Sequence, residues 1–200
     1  MKTKLSGIFL ILILLNSACL FQNTRELQPF EDNGFFGYKD ENGTIIIQPE
    51  YIIALEFTEG GIAPVADNDG WVYINRKGER IIRPYIVDNG PDYFSEGLAR
   101  FVEENKFGFF DFKCKVRIKA QFDYASPFSE GFSAVCKGCT QKKDGEYSIH
   151  SGGKWGYINK RGKFLTGFEF DTAGPFDKGK ATVSRNGKEF LIDYQGNEID

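Results

Sequence analysis

A short motif with an aromatic residue at each end returns along this chain of 200 residues, at intervals of about 35 residues in the first three copies. Seven residues after the first aromatic residue of each copy, here called the lead aromatic, stand Gly43, Gly78, Cys114 and Gly162. The four motifs are Phe36-Gly37-Tyr38, Trp71-Val72-Tyr73, Phe107-Gly108-Phe109 and Trp155-Gly156-Tyr157. A unit of this length cannot bury its own apolar face, so neighbouring copies have to cover one another. The repeat therefore predicts an array of stacked units.

Each copy continues with a second recurring triplet and a short alternating stretch such as Ile62-Ala63-Pro64-Val65. The triplets are Thr58-Glu59-Gly60, Ser95-Glu96-Gly97, Ser129-Glu130-Gly131 and Asp177-Lys178-Gly179. We expect three strands per unit. The first carries the aromatic motif and turns at the glycine, where a positive φ is permitted. The second ends near the position of Pro49, because proline lacks a backbone donor. The third forms a hairpin with the first strand of the next copy, as Asn186-Gly187 indicates.

The pattern predicts an all-β fold of tandem antiparallel hairpins or meanders, stacked as a short solenoid-like array. A small β-propeller stays open as an alternative, because the truncated last copy could supply a ring-closing strand. That copy has Glu189 where the lead aromatic belongs, and a polar half unit of this kind is typical of a terminal cap. We place the repeat domain at residues 33–200, with four units, a C-terminal half unit and an insertion at 136–153.

The first residues have the pattern of an export signal. Lys2 and Lys4 precede an apolar run that is too short to span a bilayer, and small residues follow immediately before Cys19. This order resembles a bacterial lipoprotein signal, in which the cysteine becomes the lipidated first residue. We therefore expect a signal peptide at 1–18 and a lipid anchor with a tether at 19–32. An ordinary cleaved signal and an uncleaved anchor are the alternatives.

The segment from Lys154 to Gly162, together with the recurring Phe-x-Glu-Gly, resembles the WG repeat family of bacterial proteins. The resemblance extends over about residues 33–200. It implies a repeat scaffold, and it implies no single activity, substrate or catalytic residue. Where this chain departs from the motif, with Val72 for glycine and with Phe36 and Phe107 for tryptophan, the replaced positions indicate packing.

The charge of the chain and the absence of known catalytic motifs argue against several functions. Removal of residues 1–18 would change the formal charge from −3 to −5, because two lysines and no acids are lost. An acidic chain lacks the basic footprint that nucleic acid requires. The chain holds one histidine and has no nucleophile, phosphate-loop or dinucleotide motif. Glu59, Glu96 and Glu130 recur at one repeat position, whereas a pair of catalytic acids needs unlike environments. We therefore expect no enzyme and no cofactor, and we interpret these acids as caps or surface residues.

The interval between the last two full copies contains about a dozen additional residues, placed after Val135. Insertions at hairpin tips often carry function. In an exported protein, Cys136 and Cys139 are expected to form a disulfide, or one of them could pair with Cys114. The alternatives are a zinc site of Cys136, Cys139 and His150, with or without Cys114, a redox pair, and free thiols.

The function predicted from these features is a non-enzymatic repeat module, held at a bacterial membrane in the cell envelope, that binds a protein or an envelope glycan. The alternative is a metal- or thiol-based module centred on Cys136 and Cys139. The recurring aromatic residues are interpreted as core between the units rather than as a ligand platform.

Overall fold

The computed structural model describes residues 26–144 and 147–199. Within these ranges the chain is built of β-strands, and every strand pairing is antiparallel. No helix in this part of the chain is long and apolar enough to cross a membrane. The predicted signal peptide and Cys19 lie outside the described residues.

The strands form five main sheets and two small hairpins. The first sheet contains β1 (Gln28–Asp32), β2 (Phe35–Lys39) and β3 (Ile45–Tyr51). The second contains β4 (Ile53–Ala54), β5 (Ile62–Asp67), β6 (Gly70–Asn75) and β7 (Arg80–Ile82), and is followed by a hairpin of β8 (Ile86–Val87) and β9 (Gly90–Pro91). The third contains β10 (Leu98–Glu103), β11 (Lys106–Asp111) and β12 (Val116–Phe122).

The fourth sheet is interrupted by the insertion. Its strands are β13 (Tyr124–Ala125), β14 (Phe132–Lys137), β17 (Lys154–Asn159) and β18 (Phe164–Phe170), and the insertion forms a separate two-stranded ribbon of β15 (Thr140–Asp144) and β16 (Tyr147–Ser151). The fifth contains β19 (Thr172–Asp177), β20 (Lys180–Arg185), β21 (Lys188–Ile192) and β22 (Glu198–Ile199). The predicted hairpin between the third strand of one unit and the first of the next is confirmed in β5–β6, β10–β11, β14–β17 and β20–β21.

The turn between the first and second strands has a side-chain cap that recurs in the four units and in the C-terminal half unit. An Asp or Asn four residues after the lead-aromatic position accepts hydrogen bonds through Oδ1 from the backbone N–H groups two and four residues later, at 2.9 to 3.1 Å. These residues are Asp40, Asn75, Asp111, Asn159 and Asp193. The predicted left-handed turn position is confirmed at Gly78, with φ 80°, and Cys114 adopts the same region with φ 54°.

The expectation that the second strand ends near the proline position is wrong in the first unit. β3 passes through Pro49 and reaches Tyr51, with a register shift in its pairing with β2. The shifted backbone approaches Gly37 so closely that a Cβ there would lie 2.4 Å from the oxygen of Ile47. In the second unit Val72 replaces this glycine, and β7 has only three residues. The glycine is therefore needed in these units because two backbones approach each other closely, which leaves no room for a side chain.

The boundary between tether and domain also differs from the prediction. Residues 28–32, which were assigned to the tether, form β1 and pair with β2 over their whole length. Leu27 is buried among side chains of the first two sheets. The described fold therefore begins several residues before Asn33, because this segment adds an edge strand to the first sheet.

Four clusters of buried side chains lie between successive sheets, and none of them joins the fifth sheet to the first. The described part of the chain is thus an open stack, as the solenoid-like prediction states, and no closed propeller is found in it. The motif aromatics Tyr38, Phe109 and Tyr157 are fully buried and pack against the aromatic residue 19 positions later, for example Tyr157 against Phe176 with ring centroids 5.1 Å apart. The second aromatic residue of each motif is therefore core, whereas the lead aromatics Phe36 and Trp71 are half-buried.

Candidate functional site

The recurring glutamates join one unit to the next. The Glu96 carboxylate accepts the backbone N–H of Gly131 at 3.0 and 3.2 Å. The Glu130 carboxylate accepts the N–H groups of Lys178 and Gly179 at 2.8 and 2.9 Å. The interpretation as structural caps is confirmed for both residues, because each carboxylate binds backbone donors of the following unit.

Between the first and second units, the described residues form no contact of this kind. Ser95 and Ser129 donate their hydroxyl protons to the carbonyl oxygens of Phe128 and Phe176, at 2.6 and 2.7 Å. The corresponding Thr58 Oγ1 is buried without a partner among the described residues. The second unit departs from the repeat at this point, with Phe94 two places late.

The insertion begins with a tight turn that brings the predicted cysteine pair together. The Sγ atoms of Cys136 and Cys139 are in contact, and the two Cα atoms are 6.1 Å apart, within the range that a disulfide spans. Both residues are buried. Gly153 closes the turn from the other side, because a Cβ there would lie 2.4 Å from the backbone nitrogen of Cys139. The disulfide itself stays a prediction.

The His150 ring of β16 joins the ribbon formed by β15 and β16 to the stack through two aromatic contacts. The His150 ring stacks on Tyr124, with centroids 3.9 Å apart and planes at 22°, and meets the Phe107 ring edge to face at 5.9 Å. Burial, together with the Arg100 charge, lowers the pKa of His150 from its ordinary value. His150 therefore packs on aromatic rings at the base of the ribbon, in an environment that favours the neutral imidazole.

Beneath this contact lies a buried ion pair. Arg100 donates from Nε and Nη2 to the carboxylate of Asp92 at 2.9 and 2.7 Å, and from Nη1 to the carbonyl of Ala125 at 3.0 Å. The guanidinium carbon also lies 4.8 Å from the Tyr85 ring centroid and 6.0 Å from that of Tyr124. Arg100 thus ties the loop before the third sheet to the fourth sheet.

The structure does not bring the alternative zinc ligands together. Cys114 is buried between the second and third sheets, whereas Cys136 and Cys139 are buried between the fourth and fifth. Burial raises the pKa of the Cys114 thiol to about 12. Within residues 26–144 and 147–199 no three His, Cys, Asp or Glu side chains are grouped as a metal site requires. His150 contacts aromatic rings instead.

The repeats match a known family. Its model, described as WG containing repeat, matches residues 36–71, 73–107, 107–138 and 155–188. The chain belongs to the WG repeat family. The third WG match ends at 138 and the fourth begins at 155, so β15 and β16 lie between matched repeats. No curated protein matches the chain.

Sequence reasoning missed the residues that support the ribbon. Arg100 is the third residue of the alternating stretch in its unit. The other units have the uncharged residues Pro64, Ala134 and Thr182 at this position. That contrast was the signal for a buried cation with a partner. Asp92 lies eight residues before Arg100 but in a loop outside the repeat pattern, and His150 stacks on a tyrosine 26 residues earlier. The repeat pattern predicts neither contact.

Proposed function

We propose that this WG repeat protein is a non-enzymatic binding module, anchored to a bacterial membrane through lipidated Cys19 and exposed in the cell envelope. Its partner is a protein or an envelope glycan. The observation that carries the proposal is the ribbon of residues 140–151. It departs from the repeat, lies outside the matched segments and is fixed at its base by His150 and by the paired cysteines.

The polar groups of the stack support a scaffold role. The recurring carboxylates of Glu96 and Glu130 bind backbone of the next unit, and the hydroxyls of Ser95 and Ser129 do the same. A two-stranded ribbon is only marginally stable alone. Its attachment to a rigid stack makes it suited to present an exposed surface at low ordering cost.

The alternative thiol module has one observation in its favour, the contact between Cys136 and Cys139. Thiol exchange needs an accessible thiolate. Cys136 is fully buried and Cys139 is 7% exposed. Burial therefore favours a structural staple at the base of the ribbon over a redox centre.

The binding proposal is tested by capture from native envelopes with the lipidated protein as bait. A matched bait has Thr140–Ser151 replaced by a two-residue Asn-Gly turn, while Cys136, Cys139 and the four units stay intact. We expect the full protein to enrich a protein or glycan that the shortened bait loses. If neither bait enriches anything over empty membranes, the proposal fails.

The anchor is tested separately. Cys19→Ser removes the only lipidation acceptor that we predict, and we expect the variant to leave the membrane fraction. Mass spectrometry of the N-terminal peptide of the unmodified sequence should show acyl chains on Cys19. An unmodified Cys19, or a variant that stays with the membrane, contradicts the anchor.

A further inference from the structure

The recurring glutamates have a second partner, a side chain in the turn of the next sheet. This side chain stands five residues after the lead-aromatic position. The ammonium group of Lys160 lies 3.0 Å from Glu96 Oε2 and also donates to the Glu96 carbonyl oxygen at 3.1 Å. The hydroxyl of Tyr194 donates to Glu130 Oε2 at 2.9 Å. Each of these carboxylates therefore binds a side-chain donor of the following sheet as well as backbone.

Glu59 lacks both kinds of partner. The side chain five residues after the next lead aromatic but one is Phe112, whose ring has no polar hydrogen to donate. The loop of Glu59 also has a different turn, since the Thr58 N–H binds the Ile62 carbonyl four residues later and the corresponding loops close after three. The Glu59 carboxylate forms no hydrogen bond or ion pair with any described residue.

Glu59 and Phe112 line one pocket of about 550 Å³ between the second and third sheets. The loop of Glu59 lies directly on the turn after β11, where a Cβ at Gly60 would overlap the backbone oxygen of Phe112. The Phe112 ring stacks on Phe94, with centroids 4.3 Å apart, and is still 44% exposed. The pocket thus combines a carboxylate that has no partner with an accessible aromatic ring.

The repeat itself indicates which group fits this pocket. Where the chain fills the equivalent position beside Glu96, it does so with a primary ammonium group on an alkyl chain, that of Lys160. A charged donor forms a stronger hydrogen bond to a carboxylate than a hydroxyl does. An ammonium group is also attracted to the face of an aromatic ring, which Phe112 provides here. The missing partner of Glu59 is therefore an alkylammonium group.

Lys113 also lines the pocket but does not supply this group. It is exposed and forms no ion pair with a described residue. Arg161 holds the same position directly after Lys160, and it leaves Glu96 to that lysine. The charge of Lys113 weakens the attraction of a cation at long range, but the oxygens of Glu59 stay without a donor. Selection therefore depends on a specific hydrogen bond and not on net charge.

We propose that the pocket of Glu59 and Phe112 binds a lysine side chain of a partner protein. The ammonium group donates to the Glu59 carboxylate, as Lys160 does to Glu96, and the alkyl chain packs on the Phe112 ring. This inference rests on the proposed binding function and narrows its partner to a protein. It assigns a site distinct from the ribbon, which is inserted in the fourth sheet.

The test is an NMR titration of the mature protein, in detergent micelles, with Nα-acetyl-lysine methylamide. We expect chemical-shift changes at the amides of residues 58–61 and 112–113, with a dissociation constant on the order of 1 mM. Acetylation of the side-chain nitrogen of the same compound removes its positive charge and should abolish these changes. No changes with the lysine compound, or equal changes with both compounds, overturns the proposal.

Two glutamine variants at the same repeat position locate the site. Glu59→Gln should weaken binding of the lysine compound by about tenfold or more, because a hydrogen bond between charged groups is lost. The control is Glu96→Gln, which should leave the affinity unchanged, since Lys160 already binds that carboxylate. Phe112→Leu keeps apolar bulk without the ring and should weaken binding about two- to fivefold. Unchanged affinity in Glu59→Gln overturns the proposal, and an unfolding midpoint equal to that of the unmodified protein shows that its loss of binding is not loss of the fold.

Envelope capture separates this inference from the proposed function. If lipidated Glu59→Gln captures the same partner as the unmodified protein, or if the captured partner is a glycan, this inference fails and the binding function stands. If the unmodified protein captures no partner, the proposed function fails, and the NMR titration alone decides the chemistry of the pocket.

Discussion

The Arg100 guanidinium and the Asp92 carboxylate form a bidentate ion pair in the interior of the stack. Their side chains are only 6% and 3% exposed. The carboxylate also accepts the backbone N–H of Arg100 at 2.8 Å, so Asp92 binds both the side chain and the main chain of its partner. Two buried charges of this kind are stable together, and each is costly alone.

Asp92→Asn should therefore lower the free energy of unfolding by about 3–5 kcal/mol, because a buried guanidinium would lose its counter-charge. Urea unfolding followed by circular dichroism measures the change. The control is Glu169→Gln, whose partner Arg185 lies 2.7 Å away on the surface with both side chains more than 40% exposed. We expect that variant to change stability by less than about 1 kcal/mol. Equal effects of the two substitutions would contradict a special role for the buried pair.

The close approach of two backbones at Gly156, the glycine of the Trp-Gly-Tyr motif, predicts opposite effects of two alanine substitutions on stability. A Cβ at Gly156 would lie 2.3 Å from the oxygen of Gly167, whereas a Cβ at Gly167 meets no atom within 4 Å. Gly156→Ala should cost about 1–3 kcal/mol or more, since rigid backbone has to move. Gly167→Ala should be neutral or stabilising by up to about 1 kcal/mol, because it restricts the unfolded chain. Thermal unfolding of both variants decides whether the glycine acts by close approach.

The sequence predicts those parts of the fold that local chemistry determines. Asn186 and Gly187 adopt φ 54° and 75°, as expected for a two-residue hairpin turn with both residues left-handed. Repeat spacing also predicts the antiparallel stack. The short β7 occurs in the unit in which Val72 replaces the glycine that admits a longer second strand elsewhere, and spacing alone does not reveal this. The support of the ribbon by Tyr124 depends on packing across 26 residues, from Tyr124 to His150, and is likewise invisible in a local pattern.

The contacts of the Glu130 carboxylate predict that the protein loses part of its stability at acidic pH. The N–H of Gly179, with the Tyr194 hydroxyl and the N–H of Lys178, lowers the pKa of the Glu130 carboxyl below 4.5. A depressed folded pKa gives stability that is present above the unfolded value and is lost as the pH falls through the folded value. Acidification from about pH 5 to pH 3 should therefore destabilise the unmodified protein more than Glu130→Gln.

The matched substitution at the same repeat position is Glu59→Gln. Glu59 has no hydrogen bond to the following unit within residues 26–144 and 147–199, so at neutral pH its substitution should change the free energy of unfolding less than Glu130→Gln does. Carboxyl titration by NMR gives an independent value for Glu130. A pKa at or above 4.5 would show that the contacts to Lys178 and Gly179 do not favour the charged form.

Substitution of Trp155 distinguishes a core role of this lead aromatic from a role as a platform for a ligand. It is 7% exposed, and its ring lies 5.8 Å from that of Tyr124. Trp155→Ala should lower the free energy of unfolding by about 3–5 kcal/mol. Trp71 is half-buried and donates its Nε1–H to the carbonyl of Asn89 at 2.8 Å, so Trp71→Ala should cost less. A Trp155→Ala variant with unchanged stability and lost binding would contradict the core assignment.

The cysteines give the final prediction, since the disulfide and the metal alternative lead to different masses. The chain has four cysteines, of which we expect Cys19 to be lipidated. In the unfolded, unreduced protein only Cys114 should react with an alkylating reagent, and reduction should expose Cys136 and Cys139 as well. In the native protein Cys114 should resist, because burial raises its pKa to about 12. Cys114→Ser is the control and should take up no reagent before reduction. One equivalent of zinc in the purified protein would support the metal alternative. A protein that is purified without metal and has three reactive thiols before reduction would contradict both the disulfide and the metal site.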